Sequence, residues 1–323
     1  MGWSGFPVLK AVRHDRCTDP VSPMTGTATP LLTGLVAATF TPMDGDGAID
    51  LQRIAAVCDF VLAQGVDGLF VCGSTGESPS LTIDERTAVA ETYIEAAAKR
   101  VPVVVHVGHN SLSDARTLAA HAQQLAADAI AVVPPSYYPL KSVDTLIDCL
   151  QHIAEAAPET PLYYYHIPPI TGVDLSMIEL LERAESLPTF AGIKFSAPQF
   201  DQLAACVEYR SGRYNILFGC DEFLLSGLMK GVDGAVGSTY NFMAPDYRRV
   251  IDAHQAGKID EAKQHQAVAT ARVEEILRHG GHNALKAAMG ILGVDCGPSR
   301  LPWESLSATS LAALEKGLAD GDS

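Results

Sequence analysis

Eight short runs of apolar and β-branched residues, each followed by a longer stretch of helical periodicity, leave this chain few folds to adopt. They are GLVAATF (34–40), GLFVCG (68–73), PVVVHVG (102–108), AIAVVPP (129–135), LYYYHIP (162–168), AGIKFS (191–196), NILFGC (215–220) and GAVGST (234–239). Their near-continuous apolar character predicts strands covered on both faces, as in a parallel sheet flanked by helices. The segments between them read as helices, and LTIDERTAVAETYIEAAAK places Thr82 and Glu85 at capping-box spacing. Eight such units predict an α/β fold, a closed (β/α)8 TIM barrel. An open doubly wound sheet would want a Gly-rich phosphate turn after its first strand, and AATFTPMDGDG does not supply one.

The barrel is expected over residues 31–243. Residues 1–30, polar and rich in Pro, Thr and Gly, show no period that could bury a face and are expected to form a disordered extension. Met24 lies close to the start of the periodic sequence, so residues 1–23 are read as a candidate gene-start artefact, which the N-terminal mass of native protein tests. Residues 244–323 carry helical patterns near 244–256, 259–279, 283–290 and 308–319, more than one barrel helix requires. They are read as an appended helical segment packed against the barrel and available to a neighbouring subunit.

Composition excludes several functions. With 38 Asp and Glu against 23 Lys and Arg the net charge is −15, and no basic cluster offsets it, which argues against nucleic acid. The chain has no run of about 18 apolar residues. Its opening MGWSGFPVLKAVRHDRC lacks a secretory apolar core, and Phe6 breaks the myristoylation pattern that Gly2 suggests. A cytoplasmic location with no membrane partner is the expectation. The seven cysteines, at 17, 58, 72, 149, 206, 220 and 296, form no C-x-x-C pair and read as reduced structural thiols. The pairs His106/His109 and His279/His282 lack an evident third ligand, so no metal is expected.

In a barrel of this kind chemistry collects at the carboxyl ends of the strands. The second strand leads into GSTGES, where Ser74, Thr75 and closely spaced N–H groups could cradle a carboxylate; an ordinary Gly-rich connection is the alternative. The fourth leads to Tyr137 and Tyr138, which read equally well as packing or interface residues. On the fifth, alternation sends Tyr163 and Tyr165 to one face and Tyr164 and His166 to the other, and the residue nearest the rim is the best proton carrier. Lys194 stands in the middle of the sixth strand, where an ammonium group is costly. It either snorkels to solvent or points inward, and an inward lysine favours the neutral amine that attacks ketones and forms a Schiff base. Asp221 and Glu222 end the seventh strand and Ser238 the eighth; adjacent carboxylates would repel a phosphate but suit a neutral polyol, with solvated rim charge the alternative for Glu222.

The motifs GSTGE, YYYHIPPITGV, GIKFS and FGCDEFLLSGLMKGVDGAVGSTYN occur together in an order and spacing that resembles the N-acetylneuraminate lyase and dihydrodipicolinate synthase superfamily of class I aldolases, over residues 34–303. The resemblance implies that Lys194 is the Schiff-base lysine and Tyr165 the proton relay. It implies that Ser74 and Thr75 bind the carboxylate of a 2-keto acid, with Thr75 supporting the relay, and that Ser196, Gly219, Asp221, Glu222 and Ser238 line a sugar chain. It further implies that Tyr137 is donated across a subunit contact in a homotetramer, and that no cofactor is needed. Synthases resemble YNxPxRTG at the position where this chain has YHIPPITG, so Ile170 replaces the arginine that grips a second carboxylate. The version found here is similar to animal-type sialic acid lyases, and Cys220 is a departure. The expected reaction is reversible cleavage of N-acetylneuraminate to N-acetylmannosamine and pyruvate, a 2-keto acid and a sugar aldehyde. Two rivals are a related aldolase or dehydratase acting on a 2-keto-3-deoxy sugar acid, and a non-catalytic barrel that binds a sugar acid as a sensor.

Overall fold

The strands β1 (Gly34–Ala38), β2 (Gly68–Val71), β3 (Val103–His106), β4 (Ala129–Val132), β5 (Leu162–His166), β6 (Phe190–Phe195), β7 (Asn215–Phe218) and β8 (Gly234–Gly237) pair in parallel in chain order, and β8 closes on β1. This computed structural model describes residues 32–320. The expectations for residues 1–30 and for Cys17 lie outside the described residues. All eight strands fall on the apolar runs read from the sequence, but most stop short of the end of the run. Cys72, at φ +57°, shows why: after β2 the backbone turns left-handed and the remaining residues build the rim loop.

Alternation divides the side chains into two packed sets. Val36, Ala38, Phe70, Val104, Tyr163, Tyr165 and Val236 fill the barrel interior, while Leu35, Leu69, Val105, Tyr164, Ile193 and Phe195 pack outward against the helices. At the amino-terminal rim three aspartates fix neighbouring strands: Asp67, Asp128 and Asp233 accept from the backbone N–H groups of Leu35, Val103 and Ile216, at 2.8, 2.8 and 2.7 Å. Each stands just before an even-numbered strand and satisfies a donor near the start of the odd one beside it. Gly34, at φ +69°, has no room for a side chain, because a Cβ there would meet the Asp67 carboxylate at 2.0 Å.

Helix Ile83–Ala97 opens with the expected capping box, Thr82 and Glu85 satisfying each other's backbone. After β8 come helices Tyr240–Gln255, Ile259–Arg278, His282–Leu292 and Ala308–Asp320. The first begins at Tyr240, directly after the β8 rim. Among the described residues no helix is long and apolar enough to cross a membrane.

A buried ion pair ties this region to the rim of β2. Lys286 Nζ donates to Glu77 Oε1 at 2.7 Å, with side-chain exposures of 1% and 0%. Glu77 sits at φ +57° and also accepts from the Arg300 backbone N–H at 3.0 Å. The Arg300 guanidinium clamps Glu85 with two contacts of 2.8 Å.

Candidate active site

Lys194 points into the barrel, as strand alternation requires when Ile193 and Phe195 face the helices. It is 4% exposed, and its Nζ lies 4.0 Å from the Phe70 ring centroid and 3.9 Å from that of Tyr165. Tyr165 is the register partner of Lys194 on β5. Below it Tyr163 donates to Asn215 Oδ1 at 2.9 Å and so packs within the barrel, leaving Tyr165 as the tyrosine nearer the rim. The Tyr165 hydroxyl lies 3.5 Å from Ser74 Oγ. Thr75 turns instead to Ser238, with the two hydroxyl oxygens 2.7 Å apart. Ser74, not Thr75, is therefore the hydroxyl beside the tyrosine.

A cavity of about 270 Å³ opens above these groups, lined by Ser74, Thr75, Tyr165, Lys194, Gly219, Asp221 and Ser238 together with Ile167, Ile170, His282 and Trp303. Asp221 is buried, and its Oδ2 accepts from the Thr239 backbone N–H at 2.9 Å and the Thr239 hydroxyl at 2.6 Å. Burial and the neighbouring Glu222 charge raise its pKa to about 6, against the opposing pull of the Thr239 hydrogen bonds and of Lys194. Gly219 is required by close approach, since a Cβ there would meet Ser196 Oγ at 1.9 Å. Ser196 Oγ is buried with no hydrogen-bond partner and stands behind Gly219, outside the cavity lining.

Besides Ser196, two more residues named from the sequence lie apart from this cavity. Glu222 lines a separate groove against helix Ile259–Arg278, with Gln266 and Thr270. Tyr137 is 76% exposed on the loop after β4, packed edge-on against Tyr138 with centroids 5.0 Å apart, and its backbone N–H donates to Asn110 Oδ1. The histidine pairs diverge. His106 Nδ1 donates to the Cys72 carbonyl at 2.9 Å inside the barrel, His109 accepts from the Ser111 N–H, and His279 meets Glu275. Among the described residues no group of three or more His, Cys, Asp or Glu side chains is placed to hold a metal ion.

The family model of the dihydrodipicolinate synthetase family matches residues 31–320. This chain belongs to that family. Among relatives of this family member, the N-acetylneuraminate lyase of Sus scrofa is 40% identical over 282 residues, covering 85% of this chain and 88% of that protein. The structure of the Proteus mirabilis N-acetylneuraminate lyase superposes with a TM-score of 0.88 at 32% identity, over 91% of this chain and 99% of that one. A catalytic lysine mutant of the Ruminococcus gnavus sialic acid aldolase superposes with a TM-score of 0.85 at 27% identity, over 90% and 96% of the two chains.

Within this dihydrodipicolinate synthetase family chain, the sequence reading missed His106, His282 and Trp303. His106 lies edge-on to Tyr165 with ring centroids 6.0 Å apart. Burial first, and then the nearby Arg86 guanidinium, hold its pKa well below the ordinary histidine value, so it stays a neutral wall of the interior. Alternation along β3 could have signalled it, since His106 shares a face with Val104. Nothing local marks His282 or Trp303, which the C-terminal segment carries to the mouth of a cavity built from other elements.

Proposed function

We propose that this protein is a class I aldolase that cleaves N-acetylneuraminate reversibly to N-acetylmannosamine and pyruvate. The observation that carries the reading is the placement of Lys194 Nζ inside the barrel, 3.9 Å from the Tyr165 ring, in a cavity that also holds Ser74, Thr75 and Asp221. A lysine so enclosed serves no packing need that an apolar residue would not serve better. Among the described residues no arginine lines the cavity, and Ile170 does, which favours a neutral sugar partner over a second carboxylate.

In this mechanism the substrate carboxylate rests on the Ser74–Thr75 turn, and the Lys194 amine attacks the C2 ketone. A proton taken up from solvent lets water leave and gives the protonated imine. Tyr165 relays the proton of the C4 hydroxyl to the substrate carboxylate, the C3–C4 bond breaks, and its electron pair enters the imine to form an enamine. N-acetylmannosamine leaves, its hydroxyls having been held by Asp221 and Ser238. Protonation of the enamine at C3 and hydrolysis then release pyruvate and restore the amine. The protonated imine is the electron sink, so the scheme draws on no metal or organic cofactor.

Homotetramer formation, with Tyr137 reaching a neighbouring subunit, belongs to the same reading and is supported by the exposure of the Tyr137–Tyr138 pair. A cytoplasmic location is in keeping with the free thiols of the described residues, Cys58, Cys72, Cys149, Cys206, Cys220 and Cys296. The deciding experiment is intact-protein mass spectrometry after incubation with pyruvate and borohydride. A reduced pyruvate adduct in wild type and none in Lys194→Ala is expected; folded wild type without adduct would leave a sugar-acid sensor as the better reading.

A further inference from the structure

His282 and Trp303 line the same cavity as Lys194, yet the chemistry above uses neither. Trp303 is 44% exposed, and its indole lies against the His282 ring with centroids 5.0 Å apart and planes at 32°. His282 in turn leans on the fully buried Phe40, at 5.9 Å, and its Nε2 lies 3.8 Å from Glu77 Oε1. The orientation of an exposed indole is thus set by a stack that ends in the core. Ile170, on the short helix Pro168–Thr171, is 65% exposed and lines the same cavity.

The cavity therefore has two chemical characters. Ser74, Thr75, Asp221 and Ser238 are buried or half-buried and offer hydrogen bonds to a carboxylate and to hydroxyls. Trp303 and Ile170 are exposed and apolar, and they gain little from meeting a hydroxyl group. They suit a flat amide ending in a methyl, which can stack on the indole and cover apolar surface.

We propose that Trp303, oriented by His282, and Ile170 form the subsite that selects a 2-keto sugar acid bearing an N-acyl group over one bearing a hydroxyl at the same carbon. This rests on the lyase reading of the site and makes Trp303 a specificity-determining residue. The acyl methyl packs against the indole and the Ile170 side chain; contacts of this size in an apolar pocket discriminate by roughly tenfold or more.

The test compares kcat/KM for N-acetylneuraminate with that for its analogue carrying a hydroxyl in place of the acetamido group, in wild type, Trp303→Ala, Trp303→Phe and Ile170→Ser. Pyruvate trapping with borohydride in each variant reports whether the Lys194 site is intact. Trp303→Ala is expected to lower the ratio of the two specificity constants about tenfold, chiefly through KM, with Trp303→Phe retaining most of the preference and Ile170→Ser losing part of it. An unchanged ratio in both Trp303→Ala and Ile170→Ser overturns the inference, and so does an equal loss on both substrates accompanied by loss of trapping, which would make Trp303 structural. Wild type that traps pyruvate but cleaves neither substrate defeats the lyase reading itself, and the inference with it.

Discussion

Replacing Lys286 by Met tests how firmly the β2 rim is held. Lys286 and Glu77 have side-chain exposures of 1% and 0% and a separation of 2.7 Å, so removing the ammonium strands a carboxylate that water cannot reach. Burial alone would raise the Glu77 pKa, but the nearby His282 ring, the Lys286 ammonium and the Arg300 N–H hold it below the usual value, and the lysine is one of the groups that keep it ionised. Arg300 N–H would remain at 3.0 Å and His282 at 3.8 Å, which offsets only part of the loss. Breaking one side of a buried pair costs about 3–5 kcal/mol. At an unfolding entropy of about 2.1 cal/mol/K per residue, a protein of this size loses roughly 1.5 °C per kcal/mol, so Tm should fall by about 4–8 °C. Urea and thermal unfolding of wild type, Lys286→Met, Glu77→Gln and the double variant complete the cycle, and the double variant should lose less than the sum of the singles. A loss below about 1 kcal/mol in Lys286→Met, the range of solvent-exposed pairs, would refute the argument.

Other outcomes follow from the site. Tyr165→Phe keeps the ring against Lys194 but removes the hydroxyl proposed as the proton relay; kcat for cleavage should fall by about 10²–10⁴, while pyruvate adduct formation persists. With its pKa raised to about 6, Asp221 gains charge as pH rises through that value, so KM for the sugar half, measured in the condensation direction, should fall between about pH 5 and 7, and Asp221→Asn should flatten this dependence. The same shift predicts that folding stability contributed by Asp221 is greatest in acid and declines as pH rises from its unfolded value through about 6, a slope that Asp221→Asn should remove in pH-dependent denaturation. A Cβ on Gly192 would lie 1.9 Å from the Asn215 carbonyl oxygen, so Gly192→Ala should separate β6 from β7 and reduce both Tm and borohydride-trapped adduct; a variant with wild-type values for both would contradict the close packing.

The eight strands were legible because each is buried on both faces, which leaves an uninterrupted apolar run rather than a subtle alternation. Lys194 was legible for the opposite reason, as a charge inside such a run. The helices of the C-terminal segment were legible too, but not what they deliver. HGGH reads as a weak metal pair, and only the fold shows that His282 turns toward Phe40 and Trp303. Glu222 reads like its neighbour Asp221, yet the short helical turn Asp221–Phe223 sends one side chain to the cavity and the other to a groove beside helix Ile259–Arg278. Thr75 and Ser74 are likewise adjacent hydroxyls whose different partners depend on rotamers that no pattern encodes.

The Glu77–Lys286 contact spans 209 residues of sequence. The rim of β2 therefore takes its final form only after a segment made much later has arrived. A growing chain can pair β1 through β8 as they emerge, because each strand's neighbour is next in line, while the GSTGE turn still waits for its anchor. Closure of the sheet and completion of the substrate cavity thus draw on different stretches of sequence, and the second depends on the last quarter of the chain.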